Sequence, residues 1–264
     1  MRGAIWMRIP AERPRTEVVE VTPEGDGQAC ADGVRRGILL DFDHTHFDTD
    51  RFFWVDLKSA FARFGVSDEA WEKSYETTWP SGYSLAKHLE ELNRLGAMSE
   101  PATTRTMLAA LDTAFSDLRP YLFLDVLEFL NTARRQGFDL LLLSFGDPTW
   151  QSYKVRASGL APYFQKIVYT ATQEGKAELL DHLGQRYREL HAIDNNPADL
   201  DAMKARCPRL RTHLICRVEP SATLEANGGS RDRFREAARY LSVPSRVLHH
   251  RCTSLAEVPL SCPE

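Results

Sequence analysis

The chain has 264 residues, enough for one large domain or two smaller ones, and its 43% of hydrophobic residues is sufficient to bury a core, which excludes disorder throughout. A formal net charge of -4 excludes the basic footprint of a nucleic-acid or anionic-membrane binder. No apolar run approaches the roughly 18 residues that cross a bilayer, and no continuous apolar segment near the N-terminus reads as a signal peptide, so a cytoplasmic protein with a small-molecule partner is expected. Cys30, Cys207, Cys216, Cys252 and Cys262 are scattered with no CxxC pair, so neither a disulfide framework nor a zinc knuckle is expected.

Residues 1–36 hold Pro10, Pro14, Pro23 and the stretch EGDGQACADG, with one short apolar alternation, TEVVEV. They lack the material for a core and read as a flexible N-terminal extension. Regular patterning starts at Ile38, Leu39 and Leu40, an apolar run without alternation, as expected of a strand covered on both faces of a parallel sheet. From Arg51 to Leu118 only helical periodicity follows. Phe53, Leu57, Ala60, Phe61 and Phe64 share one face, SDEAWEKSYETTW follows, and Leu85, Leu89 and Leu92 precede Gly96. A fourth helix starts at Ser99 with Pro101 in its first turn.

Beyond this insertion the pattern alternates. Asp125 and Glu128 suggest a capping box for a helix that presents Val126, Phe129, Leu130 and Ala133 and stops at Gly137. Strand-like runs lie at Asp139–Ser144, Lys166–Thr170, Leu190–Asp194, Thr212–Cys216 and Arg246–His250, with helical stretches around Ala177–Tyr187, Pro197–Arg206 and Arg231–Tyr240. Strands alternating with helices imply an α/β fold, a doubly wound, mostly parallel sheet. The inserted helices would then stand over the C-terminal edge of the sheet, where such folds bind ligands.

The stretch ILLDFDHTHFDTD places Asp41 and Asp43 at the end of the first strand. Residues two apart in an extended chain point the same way, so both carboxylates converge on one space. That arrangement suits a hard cation such as magnesium, and equally an acid and a nucleophile acting on one substrate. Asp48 and Asp50 read as part of a mobile connection into the helices. His44 and His46 could reach the mouth of the site or be solvent-exposed bystanders.

Asp41-Phe42-Asp43-His44-Thr45 fits the DxDxT signature of the haloacid dehalogenase-like (HAD) superfamily. Ser144 ends the second core strand, Lys176 opens a later helix, and HAIDNNPADL supplies Asp194 and Asp199, in the order of the other three family motifs. The chain thus resembles the phosphatase type of this superfamily. The resemblance implies a HAD-like Rossmannoid core over residues 37–47 and 120–264, with a helical cap at 48–119. It also implies that Asp41 attacks phosphorus, Asp43 serves as general acid and base, and Lys176 offsets charge. Ser144 and the backbone N–H groups of Phe145 and Gly146 would bind the phosphate. Asp41, the carbonyl of Asp43, Asp194 and Asp199 would hold Mg2+. A second acid at Asp43 favours phosphatase over dehalogenase chemistry. The implied substrate is a small phosphorylated metabolite, with Arg51, Trp79, Tyr83 and Lys87 of the cap as candidates for selecting it. A phosphomutase and a silent phosphate-ligand binding module are the alternatives. The sequence departs from the family at His44, where Gly is usual, and at Asn195 and Asn196, where a second adjacent acid is expected.

Overall fold

The computed structural model describes residues 17–19, 35–98, 101–172, 174–217 and 235–260. One sheet holds β1 (Glu17–Val19), β2 (Arg36–Leu40), β3 (Phe138–Phe145), β4 (Lys166–Thr170), β5 (Glu189–Asp194), β6 (Arg211–Ile215) and β7 (His250–Cys252). Their spatial order is β1-β4-β3-β2-β5-β6-β7. Strands β2 to β7 are parallel, and β1 pairs antiparallel with β4, Val18 facing Val168. The alternation TEVVEV of the expected extension therefore supplies an edge strand; residues 1–16 and 20–34 lie outside the described residues.

β2 sits at the centre, between β3 and β5. Its unbroken apolar run is explained by its two faces. Ile38 and Leu40 pack into one hydrophobic cluster, and Leu39 joins Leu141 and Leu143 in a second cluster across the sheet. Helix α5 (Val126–Arg135) covers the first side with the four residues expected, and Leu130 is fully buried. Leu130→Ala is expected to destabilise the fold by about 2–5 kcal/mol, read as a lower denaturant midpoint at unchanged slope.

The capping box expected at Asp125 does not form. Its Oδ2 instead accepts hydrogen bonds from the Arg217 guanidinium, the Ser254 hydroxyl and the Leu255 N–H, each at 2.7 Å. A charged donor outcompetes the neutral amide of the helix's own first turn. The last strand is also displaced. The N–H groups of Arg246 and Val247 go to the Asp201 carboxylate, so pairing with β6 starts only at His250.

Between β2 and α5 the chain is helical, as the periodicity required. It starts as a π-helical stretch, Arg51–Leu57, and continues through α1 (Lys58–Ala62), α2 (Asp68–Thr78), α3 (Leu85–Arg94) and α4 (Pro101–Ala114). The π-winding was not legible in the sequence. Its wider turn sets consecutive side chains closer in angle than an α-helix does, so Phe52, Phe53 and Trp54 are all buried. Ser99, the expected start of α4, lies outside the described residues. Helices α6 (Pro148–Ala157), α7 (Glu174–Glu178), α8 (Leu180–Arg186), α9 (Pro197–Arg206) and α10 (Arg235–Leu241) complete the architecture. Among the described residues no helix is long and apolar enough to cross a membrane.

Candidate active site

A cavity of about 110 Å3 lies between the inserted helices and the C-terminal ends of the central strands. Asp41 continues the line of β2, its N–H donating to the Ile193 carbonyl at 3.0 Å. The chain then turns back on itself, with the His44 N–H on the Phe47 carbonyl and the His46 N–H on that of Phe42. The turn needs a left-handed residue, and His44 has φ +58°. This accounts for the glycine usual at that position, since glycine takes such a conformation without strain and histidine tolerates it better than most. His44 is buried and lines the cavity.

The other elements of the DFDHTHFDTD stretch are equally fixed. His46 has no exposed surface, and burial lowers its pKa to about 4, leaving it neutral. Its Nδ1–H donates to the Asp41 carbonyl at 2.5 Å, so it braces the backbone under Asp41 and is neither at the mouth of the site nor in solvent. Arg217 binds the Thr45 carbonyl at 2.7 and 3.1 Å and ties the turn to Asp125. Asp50 is 1% exposed, and its carboxylate accepts the N–H groups of Glu236 and Ala237 in α10. It is a buried anchor, contrary to the expectation of a mobile connection.

Four carboxylates and two ammonium groups meet in this space. Lys176 Nζ lies 2.8 Å from Asp41, 2.8 Å from Asp194 and 3.1 Å from Asp199. It is buried, yet the three acids hold it charged, well above its usual pKa. Burial pushes the Asp41 carboxyl up to about 7; Lys176 opposes that shift, and the charge on Asp194 adds to it. Asp194 rises to about 6, also chiefly by burial. Thr45 Oγ1 donates to Asp41 at 3.2 Å, the Asn196 N–H to Asp194 at 2.8 Å and Asn196 Nδ2 to Asp199 at 2.9 Å. Three acids around one lysine leave an excess of negative charge on hard oxygen donors. In kind this set fits a divalent cation such as magnesium. The acids do not, however, form a ready-made chelate, because Lys176 stands between them.

Asp43 is handled separately. Lys154 Nζ donates to Oδ1, Thr49 Oγ1 to the same oxygen at 2.6 Å and Gln151 Nε2 to Oδ2 at 2.9 Å. Burial raises the Asp43 carboxyl, but Lys154 and Thr49 outweigh it and hold the group below the usual carboxylate range. Gln151 and Lys154 escaped the sequence reading. They sit three apart on α6, the helix that leaves the end of β3, and that spacing on one helix face was the available signal.

Ser144, Phe145 and Gly146 line the cavity as expected. The Ser144 hydroxyl is buried without a hydrogen-bond partner. Of the two amides expected to meet phosphate, that of Gly146 is already given to the Thr170 carbonyl at 3.1 Å, a ladder bond that prolongs the β3–β4 pairing. Gly146 matters instead for its missing side chain, since a Cβ there would come within 2.8 Å of Gln151 Nε2. Trp79 and Tyr83 reach the cavity, whereas Arg51 and Lys87 are not among its lining residues. Arg51 binds the Pro120 carbonyl and lies over Tyr121, and Lys87 Nζ binds the Gly82 carbonyl.

Among curated proteins none matches the sequence. Among solved structures, a haloacid dehalogenase-like hydrolase of Burkholderia xenovorans LB400 is similar at 20% identity and a TM-score of 0.56, covering 85% of this chain and 94% of that one. The L-2-haloacid dehalogenase of Xanthobacter autotrophicus is similar at 14% identity and a TM-score of 0.55, covering 85% and 96%. At these identities the likeness is one of fold. Residues 36–205, more than half of the sequence, match the haloacid dehalogenase-like hydrolase family, and with Asp41, Asp43, Ser144, Lys176 and Asp194 gathered in one cavity the chain belongs to that family.

Proposed function

We propose that this hydrolase is a magnesium-dependent phosphatase of a small phosphate ester. The observation that carries the reading is Asp43, a second acid in the same cavity as Asp41. A carboxylate nucleophile that displaces halide has no use for it, whereas an ester oxygen leaves more readily when protonated. Asp41 attacks phosphorus through one carboxylate oxygen, the bond from phosphorus to the ester oxygen breaks, and an aspartyl phosphate forms on Asp41. The leaving oxygen takes its proton from the Asp43–Lys154 pair. Asp43 rests as an anion on a lysine whose hold on its own proton is weakened by burial, so the pair has one proton to give. Asp43 then takes a proton from water, whose oxygen attacks phosphorus and frees Asp41 and inorganic phosphate. Ser144 offers its unpartnered hydroxyl to a phosphate oxygen, and Lys176 offsets the charge on Asp41. Asp41, Asp194, Asp199 and the carbonyl of Asp43 would hold magnesium, which supplies positive charge between phosphate and carboxylates.

A second reading, metal-free displacement at carbon, is favoured by one observation: Lys176 already stands among the acids that a metal would need. The Xanthobacter autotrophicus dehalogenase has been captured with chloropropionic acid covalently bound. One experiment separates the two. Phosphate release from a panel of phosphate esters, with magnesium and with chelator, is measured beside halide release from 2-chloropropionate. Phosphate release that the chelator abolishes is expected. Halide release that survives chelator, with no phosphate from any ester, would replace the phosphatase reading.

A further inference from the structure

The acids at the strand ends are indifferent to what the phosphate is attached to, but the opposite wall of the cavity is not. Every residue that the segment from Arg51 to Arg94 brings to it is aromatic: Phe52, Phe53, Trp54, Tyr75, Trp79 and Tyr83. Several of the rings meet edge to face, Phe53 with Tyr83 at 4.9 Å and 82°, Trp54 with Tyr75 at 4.7 Å and 71°, and Tyr83 with Trp150 at 5.6 Å and 65°. This wall carries no charge and no amide. The several hydroxyls of a sugar or polyol pressed against it would give up more contacts with water than the wall's few tyrosine hydroxyls and indole N–H groups can replace. A flat ring buries apolar surface there and extends the edge-to-face pattern.

Two polar atoms of this wall lack a partner. Tyr83 Oη and Trp54 Nε1 are both buried with no hydrogen-bond partner. An indole nitrogen can only donate, and buried donors left unpaired on residues that line a cavity call for a ligand atom that accepts. Glu236, which lines the same cavity from α10, does not convert the wall into a cation site, because Arg239 lies 3.2 Å from its carboxylate. We infer that the phosphate ester of this enzyme carries an aromatic ring with a hydrogen-bond acceptor on its far edge, an inference that rests on the phosphatase reading.

The test compares esters of primary alcohols, whose leaving oxygens are similar in reactivity: benzyl and 4-nitrobenzyl phosphate against glycerol 3-phosphate and glucose 6-phosphate. The expected result is a kcat/KM at least about 100-fold higher for the benzyl esters, with the nitro compound favoured about tenfold over benzyl, the ratio one hydrogen bond supplies. Tyr83→Phe, which keeps the ring, is expected to bring that tenfold preference close to parity. If glycerol or glucose phosphate is hydrolysed as well as the benzyl esters, the inference falls while the phosphatase reading stands. A nitro preference that neither Tyr83→Phe nor Trp54→Phe reduces overturns the acceptor. If no ester is hydrolysed, the phosphatase reading falls, and binding of benzylphosphonate against methylphosphonate, followed by tryptophan fluorescence, decides the cavity. Binding at least 100-fold tighter for the benzyl compound supports an aromatic guest, and equal or absent binding overturns it.

Discussion

Asp41→Asn is expected to abolish turnover and at the same time to stabilise the protein. The loss should be about 10,000-fold or more on any substrate that the parent enzyme hydrolyses, because an amide oxygen is a poor nucleophile and no neighbouring group can replace it. The gain in stability follows from the raised pKa of Asp41, about 7 against an ordinary value of 3.8. An acid whose pKa is higher folded than unfolded is more easily ionised in the unfolded chain. Its cost to the fold is therefore fully present above pH 7 and vanishes as the pH falls from 7 towards 4. Roughly three pKa units at about 1.4 kcal/mol each bound the effect at about 4 kcal/mol with the pull of Lys176 already included, and part of it is offset because the amide puts a donor where a carboxylate oxygen accepted. A gain of about 2 kcal/mol, or roughly 4–8 °C in Tm, is expected at pH 8 in chelator, shrinking to nothing near pH 4. A variant no more stable than the parent at pH 8 would contradict the charge balance described for the site.

Lys176→Met should act in the opposite direction. Lys176 is 3% exposed and stands between Asp41, Asp194 and Asp199, so its removal leaves three buried acids without a counter-ion. Breaking a buried ion pair from one side costs about 3–5 kcal/mol. The deficit should be largest above pH 7, where the acids are ionised, and smaller below pH 6, where Asp194 as well as Asp41 takes up a proton. The same variant tests the metal proposal without any assay of activity. Added magnesium should raise its Tm more than that of the parent, because the acids no longer share their oxygens with an ammonium group. Equal shifts in the two proteins would count against a magnesium site formed by these acids.

Much of this was legible in the amino-acid order, for identifiable reasons. Ile38, Leu39 and Leu40 declare a strand buried on both faces because no polar residue interrupts them, and Val126, Phe129, Leu130 and Ala133 declare a helix by their spacing. Such signals are local, and local sterics and burial decide them. What misled were groups with more than one possible partner. Asp125 has the spacing of a cap, but Arg217, Ser254 and Leu255, all distant in sequence, compete for the same oxygen. Arg246 and Val247 look like strand residues until the Asp201 carboxylate takes their amides. Asp50 looks like loop polarity until α10 presents two N–H groups to it.

The site divides along the same line. The sequence alone determined that Asp41, Asp43, Ser144, Lys176, Asp194 and Asp199 belong to one family pattern, and that strand ends and the helix starts that follow them bring these positions to one edge of a sheet. Only the tertiary structure decided how their charges pair. Lys176 goes to three acids and Lys154 to the fourth, Gly146 gives its amide to Thr170, and His46 lies under Asp41. It alone decided that the π-wound segment turns Phe52, Phe53 and Trp54 towards the reacting groups. The physical reason is that periodicity is set by neighbours along the chain, whereas charge compensation and cavity shape are set by neighbours in space.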